Sequence, residues 1–405
     1  MSTSLLYHGF SICGYQYVRS LFVHGRIVFK IKQDRFSLRC PECRSKQLIR
    51  KGHVSRVFRT IPIGTKPVFI EFAIPRIQCL VCRVIRQVKV AFADVRRTYT
   101  KTFERYVLEL SRHMTIRDVA RHLGVGWDMI KDIQKCYLNK RFSRPNLKKL
   151  KQIAIDEISI GKGHRYLTVV LDLATGAVVF VGAGKGSDAL IPFWRRLNRY
   201  KGNTIKAVAI DMSPAYIRAV TNNLPNAAIV FDHFHVVKLF NDRLAEFRRY
   251  LQSKMESKEK AQFLKGTRWL LLKNAENLNP DKNETQRLQQ ALEVNKPLAA
   301  AYYMKEELRQ LWKQPSKWHA ANFLNAWILK AKASNIVFLD HFADTLEEHW
   351  QGILAYYDHK ISTGPLEGTN NKIKTLQRQA YGFRDMEFFK LKIYALHRTR
   401  YALVG

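Results

Sequence analysis

Two apolar, β-branched runs that each deliver an aspartate constrain this 405-residue chain more than any other feature. The first is Gln152-Ile-Ala-Ile-Asp-Glu-Ile-Ser-Ile160, whose near-continuous apolar character is that of a buried strand. A carboxylate inside such a strand is costly unless a charge pairs with it. The second, Ile205–Asp211, again runs apolar to an aspartate, and Ser213-Pro214 then opens a helix. Two strands that bring Asp156 and Asp211 to one place can make a divalent-metal site, because hard cations take carboxylate oxygen.

The surrounding pattern supplies a fold for these strands. Residues 153–160, 164–171 and 177–181 read as three strands in hairpin succession, joined at Gly161-Lys-Gly163 and Ala174-Thr-Gly176. A helix at 188–199, a strand at 205–211, a helix at 214–223 and a strand at 227–232 follow. Three antiparallel strands and then helix–strand–helix–strand is the order of an α/β ribonuclease-H-like fold, in which the first and fourth strands are neighbours. Glu157 alternates to the opposite sheet face from Asp156. Asp172 reads as a hairpin residue and Asp188 as a helix N-cap. Residues 252–350 lack β pattern and break at Asn279-Pro280, Pro297 and Pro315, as an all-helical insertion would; its tryptophans, Trp269, Trp312, Trp318, Trp327 and Trp350, read most simply as its core, with a DNA-facing stack as the alternative. Thr363-Gly364-Pro365 opens a further helix on which Glu367, Asn370/Asn371, Lys374 and Arg378 share one face. A carboxylate followed by amide and basic groups fits a metal ligand followed by phosphate contacts, in which Lys372 joins; a dipole-stabilised Glu with solvated basic residues fits equally.

The formal net charge of +36 points to nucleic acid as partner, and 31 Lys/Arg against 9 Asp/Glu place +22 of it in residues 1–150. No apolar run is long enough to span a membrane and no secretory leader is present, so a cytoplasmic, nucleoid-associated protein is expected. In a reducing compartment Cys40-Pro-Glu-Cys43 and Cys79-Leu-Val-Cys82 read as one tetrahedral Zn²⁺ site stapling a small β module. From residue 102 the period becomes helical. Helices at 103–113, 115–123 and 127–137, with Thr115 as a cap and Gly124 at the turn, form a helix-turn-helix pattern. It sets Trp127, Asp128 and Lys131 toward a DNA groove. The stretch 141–151, with Arg141, Arg144, Lys148 and Lys149, reads as a basic linker that can touch phosphates.

The strings Ala154-Ile-Asp-Glu-Ile158, Ala209-Ile-Asp-Met-Ser-Pro-Ala-Tyr216, Pro225-Asn-Ala-Ala-Ile-Val-Phe-Asp-His-Phe-His-Val236, Gly364-Pro-Leu-Glu-Gly-Thr-Asn-Asn-Lys-Ile-Lys374 and Tyr381-Gly-Phe383 resemble the DDE transposases of the ISL-three insertion-sequence family. The resemblance covers nearly the whole chain. It implies a zinc module (1–98), a helix-turn-helix (99–140), the linker (141–151), a catalytic core in two parts (152–251 and 351–405) and the insertion between them (252–350). It puts the catalytic, metal-holding residues at Asp156, Asp211 and Glu367 with two Mg²⁺ or Mn²⁺ ions, and Asp232 and His235 match an Asp-x-x-His signature of accessory role. The implied activity is cleavage and strand transfer at the inverted repeats of the element, on double-stranded end and target DNA, by a homodimer. A nuclease or resolvase that cleaves without joining, and a DNA-binding regulator with a dead catalytic domain, are the competing readings.

Overall fold

The computed structural model describes residues 4–200, 204–255 and 266–397. They form two compact units: residues 4–143 with Leu376–Ala395, and Arg144–Thr375 with Leu396 and His397.

The first unit opens on a short helix, α1 (Leu5–Phe10), where strand was expected. Leu6 and Phe10, four apart, bury one helical face, a spacing too short-lived in sequence to announce itself. The hairpin β1 (Tyr15–Val23) and β2 (Arg26–Gln33) follows, then β3 (Leu48–Ile63), β4 (Lys66–Cys79) and β5 (Ile85–Gln87). β4 is central, parallel to β2 and antiparallel to β3 and β5. Val68, Ile70, Phe72 and Ile74 alternate inward along β4 and meet Phe58 and Phe92. This core is larger than a module that depends on metal alone would need.

Three helices come next: α2 (Lys101–Leu110), α3 (Ile116–Leu123) and α4 (Trp127–Phe142). Thr115 Oγ1 accepts the Asp118 N–H at 3.2 Å, capping α3 as read from sequence. Gly124 ends it at φ +60°, a conformation any Cβ would strain. The core of these helices, with Phe103, Val119, Ile130 and Ile133, also contains Phe388, Leu391 and Ala395. Those three lie on the helix Met386–Ala395, which the sequence reading assigned to the catalytic core. An apolar helical face reveals burial but not the surface that buries it.

In the second unit β6 (Gln152–Gly161), β7 (Arg165–Asp172) and β8 (Val178–Ala183) are antiparallel, and α5 (Ser187–Leu197) follows them. β9 (Ala207–Ile210) lies parallel to β6, and after α6 (Pro214–Asn223) β10 (Ala228–Phe231) lies parallel to β9. The order β10-β9-β6-β7-β8 makes the first and fourth strands of this sheet neighbours. Asp172 accepts the Ala174 N–H in its hairpin, while Gly186 rather than Asp188 occupies the N-cap of α5.

α7 (His233–Ser253) carries the chain into the helical segment, which shares one core with the sheet. Phe240 on α7 packs edge-on to Trp327 and Phe342 at centroid distances of 6.1 and 4.9 Å. Trp269 and Trp318 depart from the core expectation: they are 68% and 69% exposed. Leu147 and Leu150, in the expected linker, are buried in the same core, and Arg141 belongs to the last turn of α4. The segment 143–151 is therefore anchored along part of its length.

Gly352 lies against the Phe231 ring, where an added Cβ would come within 2.3 Å of Cε2. Gly352→Ala should destabilise the second unit by about 1–3 kcal/mol, as overpacking does. A thermal melting midpoint unchanged from wild type would show that Phe231 yields freely.

Candidate active site and metal cluster

The strand register sets three aspartates side by side. β6 pairs Gln152 with Ala207, Ile153 with Val208 and Ala154 with Ala209. Continued two residues further, that register brings Asp156 level with Asp211. β9 and β10 pair Ile210 with Phe231, so the next residues, Asp211 and Asp232, are also level. All three stand where the parallel pairing ends at its carboxyl side, the place where open α/β sheets hold ligands.

Each aspartate has a different environment. Asp156 is partly buried; its Oδ1 accepts the Glu157 N–H at 2.7 Å and its Oδ2 accepts from Asn370 Nδ2 at 2.9 Å. Burial pushes its carboxyl above the usual aspartate range, aided by the Asp211 and Glu157 charges and opposed by the Glu157 N–H and by His235. Asp211 is partly buried, and its Oδ1 accepts the Ser213 N–H at 3.1 Å at the start of α6. Asp232 is 2% exposed. Its Oδ2 accepts from His235 Nδ1 at 3.2 Å and from Thr363 Oγ1 at 2.8 Å. Burial raises the Asp232 carboxyl, but these hydrogen bonds outweigh it and hold the group below its usual range. His235 is raised in turn, first by its bond to Asp232 and then by the charges of Asp232, Asp156 and Asp211. The carboxylates around His235 thus favour its protonated form.

Glu367 lies in the first turn of the helix Gly364–Gln379, exposed, three residues before the buried Asn370 that holds Asp156. Residues three apart on a helix are neighbours, so Glu367 stands on the side of its helix that carries Asn370. Among the described residues, carboxylates of Asp156, Asp211 and Glu367 do not close to within 4.8 Å of one another. Their chemistry nonetheless fits hard divalent cations: oxygen donors only, one of them disfavoured as a bare anion by burial. Glu157 is turned to the other sheet face, where it accepts from Tyr216 OH at 3.0 Å. The pairings Asn370–Asp156 and Thr363–Asp232 escaped sequence reading, because they join residues 214 and 131 positions apart.

The cysteines form the second candidate. Cys40, Cys43, Cys79 and Cys82 place their sulfurs within 4.8 Å of one another, with Cys40–Cys82 at 3.6 Å and Cys43–Cys79 at 3.5 Å. A tetrahedron with Zn–S bonds of about 2.3 Å has edges of roughly 3.8 Å, so the thiols fit zinc. Arg44 and Arg83, directly after each second cysteine, take φ +60° and +56°, folding both knuckles alike. The backbone N–H groups of Cys82 and Val81 draw the Cys79 thiol down to about 6, favouring the thiolate a metal needs. The cluster joins the start of β3 to the end of β4, where Leu48 pairs with Cys79.

Among the DNA-contact candidates, Trp127 and Asp128 are exposed at the first turn of α4. Lys131 lies 3.1 Å from Asp385, which Lys135 also meets at 3.1 Å. Against the effect of burial, the Phe388 N–H and these two lysines hold Asp385 down at about 2. Arg141, Arg144, Lys148, Lys149, Lys372, Lys374 and Arg378 are exposed. Among the described residues no helix is long and apolar enough to cross a membrane.

Comparison with known proteins finds family matches over three stretches of the chain. A family profile described as transposase matches residues 153–393. A helix-turn-helix domain of transposase family ISL3 matches 88–135, and a zinc-finger of transposase IS204/IS1001/IS1096/IS1165 matches 37–82. The transposase for insertion sequence element IS1001 of Bordetella parapertussis is 33% identical over 359 residues, 88% of each chain. The transposase for insertion sequence element IS1557 of Mycobacterium tuberculosis is 28% identical over 387 residues, 89% of this chain and 86% of that one. The zinc-finger match and the four-thiol cluster together support a structural zinc.

Cys79→Ser should release zinc from the purified protein, and full zinc content by elemental analysis would overturn the ligand set. The Asp232–His235 pair gives a signed pH dependence. The raised histidine contributes stability below its unfolded value of about 6.5, lost as pH rises through its folded value. The lowered aspartate contributes above about 3.9, lost as pH falls through its own. The excess melting temperature of wild type over His235→Gln should therefore peak between those limits and shrink toward pH 9; a constant difference would contradict the pairing.

Proposed function

Because the chain belongs to the ISL3 family of transposases, we propose that it binds the terminal inverted repeats of its insertion sequence, cleaves there and joins the freed ends to target DNA. The sheet order supports a ribonuclease-H-like catalytic core. The single observation that carries the reading is the Asn370–Asp156 bond: it ties the Glu367 helix to a strand aspartate level with Asp211, through nearly the whole intervening domain.

Asp156, Asp211 and Glu367 would hold Mg²⁺ or Mn²⁺. When bound, these ions supply activation of the attacking water or 3′-OH and neutralise charge on the leaving oxygen. The chain's own part is to bring the three carboxylates toward one place, with Asn370 orienting Asp156 and the Ser213 N–H holding Asp211. Lys372, Lys374 and Arg378 follow Glu367 on an exposed helical face, suited to the DNA backbone. Trp127 and Asp128 present the groove-reading end of α4. Arg141, Arg144, Lys148 and Lys149 add phosphate contacts next to it, and the zinc module fixes the basic sheet. Synapsis of two ends calls for a homodimer, working on DNA in the bacterial nucleoid. The domain limits proposed are those read from sequence, within a chain that packs as two units, residues 4–143 with Leu376–Ala395 and Arg144–Thr375 with Leu396 and His397.

Asp156→Asn, Asp211→Asn and Glu367→Gln should each reduce donor-end cleavage and strand transfer in Mg²⁺ or Mn²⁺ below detection, while end binding persists. Glu157→Gln should retain activity. Wild-type cleavage by all three variants would end the mechanism; nicking without joining by the wild type would favour the nuclease reading. Binding of non-specific duplex should fall steeply between 50 and 200 mM salt, on the order of 10³-fold or more if several phosphates are contacted.

A further inference from the structure

Three aspartates reach the same level of the sheet, yet their oxygens are not equally available. Each carboxylate oxygen can accept about two hydrogen bonds. Asp232 Oδ2 already has two donors, His235 Nδ1 and Thr363 Oγ1. Its Oδ1 has no hydrogen-bond partner, with His233 Nδ1 3.5 Å away, and is closed off by burial, the whole side chain being 2% exposed. Asp156 has one donor on each oxygen, and so one acceptor site left on each.

Thr363 and Asn370 bracket Glu367 in sequence, four residues before it and three after. Both are buried, at 2% and 6% exposure, and each bonds a different aspartate. Resting on the metal-dependent reading above, we propose that Asp232 and Asn370 are positioning residues rather than metal ligands. Asp232 pins the start of the Glu367 helix through Thr363. Asn370 pins its next turn through Asp156, and in doing so fixes which lone pairs of Asp156 face outward. Glu367 is the only carboxylate in the stretch between the two pins, residues 363–370, and they set where the helix presents it.

The physical reason is rigidity over a long closure. The Glu367 helix returns to the sheet after the helical segment, and a one-turn slip would carry Glu367 away by about 5.4 Å. Each pin involves a carboxylate, the stronger class of hydrogen bond; Thr363–Asp232 is buried and Asn370–Asp156 part-buried. Loss of either should leave the ligands present but poorly aimed. Partners outside the ligand set typically change metal affinity or activity by about 10–100-fold when removed.

The test uses the full-length, zinc-loaded protein with Mn²⁺ as probe. Mn²⁺ binding is followed by paramagnetic resonance, and donor-end cleavage is titrated with Mg²⁺ and with Mn²⁺. Asn370→Ala and Thr363→Val should each weaken Mn²⁺ binding and raise the Mg²⁺ needed for half-maximal cleavage by about 10-fold or more. Saturating Mn²⁺ should restore cleavage, and footprints on end DNA should match wild type. Asp232→Asn should behave as they do, with a lower melting temperature. Asp156→Asn and Glu367→Gln, by contrast, should stay inactive at every metal concentration. If Asn370→Ala and Thr363→Val kept wild-type metal midpoints while Asp156→Asn was dead, the positioning roles would fall and the catalytic reading would stand. If Asp232→Asn bound DNA normally but was dead at saturating Mn²⁺, Asp232 would be a ligand and the proposal overturned. If Asp156→Asn and Glu367→Gln were active, the catalytic reading itself would fail.

Discussion

Bringing like charges to the ends of adjacent parallel strands is the constraint to which the rest of the second unit answers. Carboxylates held that close repel one another, and burial penalises each of them further. Five polar neighbours work against that cost: backbone N–H groups of Glu157 and Ser213, the Asn370 amide, Thr363 and His235. Partners 131 and 214 residues away can serve only if the intervening chain is rigid. That explains why the helical segment shares a core with the sheet, through Phe240, Trp327 and Phe342, instead of standing apart as a separate body.

Much of this was legible in the sequence, for identifiable reasons. Strands β6 to β10 were found within a few residues because β-branched runs end in glycine, proline or aspartate there. The helix Pro214–Asn223 was found at both ends because proline fixes its start. The four cysteines and the pair of level aspartates follow from spacing and strand order. Legibility failed wherever the question was which surface faces which. The burial of Leu147 and Leu150, the exposure of Trp269 and Trp318, and the engagement of Lys131 by Asp385 are all choices of partner. Periodicity reports that a face is apolar or charged and says nothing of what will cover it.

The zinc module shows a related division. Its sheet carries an aromatic core of Phe58, Phe72 and Phe92, with Tyr15 edge-on to two of them. The thiol cluster closes only one end, where β3 begins and β4 stops. Metal there ties down chain ends that hydrophobic burial does not reach, while the sheet itself rests on its packing.

The helix Met386–Ala395 joins the core of the helix-turn-helix, and Lys135 meets Asp385 across 250 residues of chain. This sets an order on the biosynthesis of the protein. At ribosomal rates of roughly 5–20 residues per second, the N-terminal helices wait about 10–50 s for the segment that completes their core. A nascent chain therefore exposes part of that apolar face until residues 386–395 have been made, and a chain terminated before them never covers it. Possession of a finished DNA-binding unit is in this way coupled to possession of a complete catalytic domain.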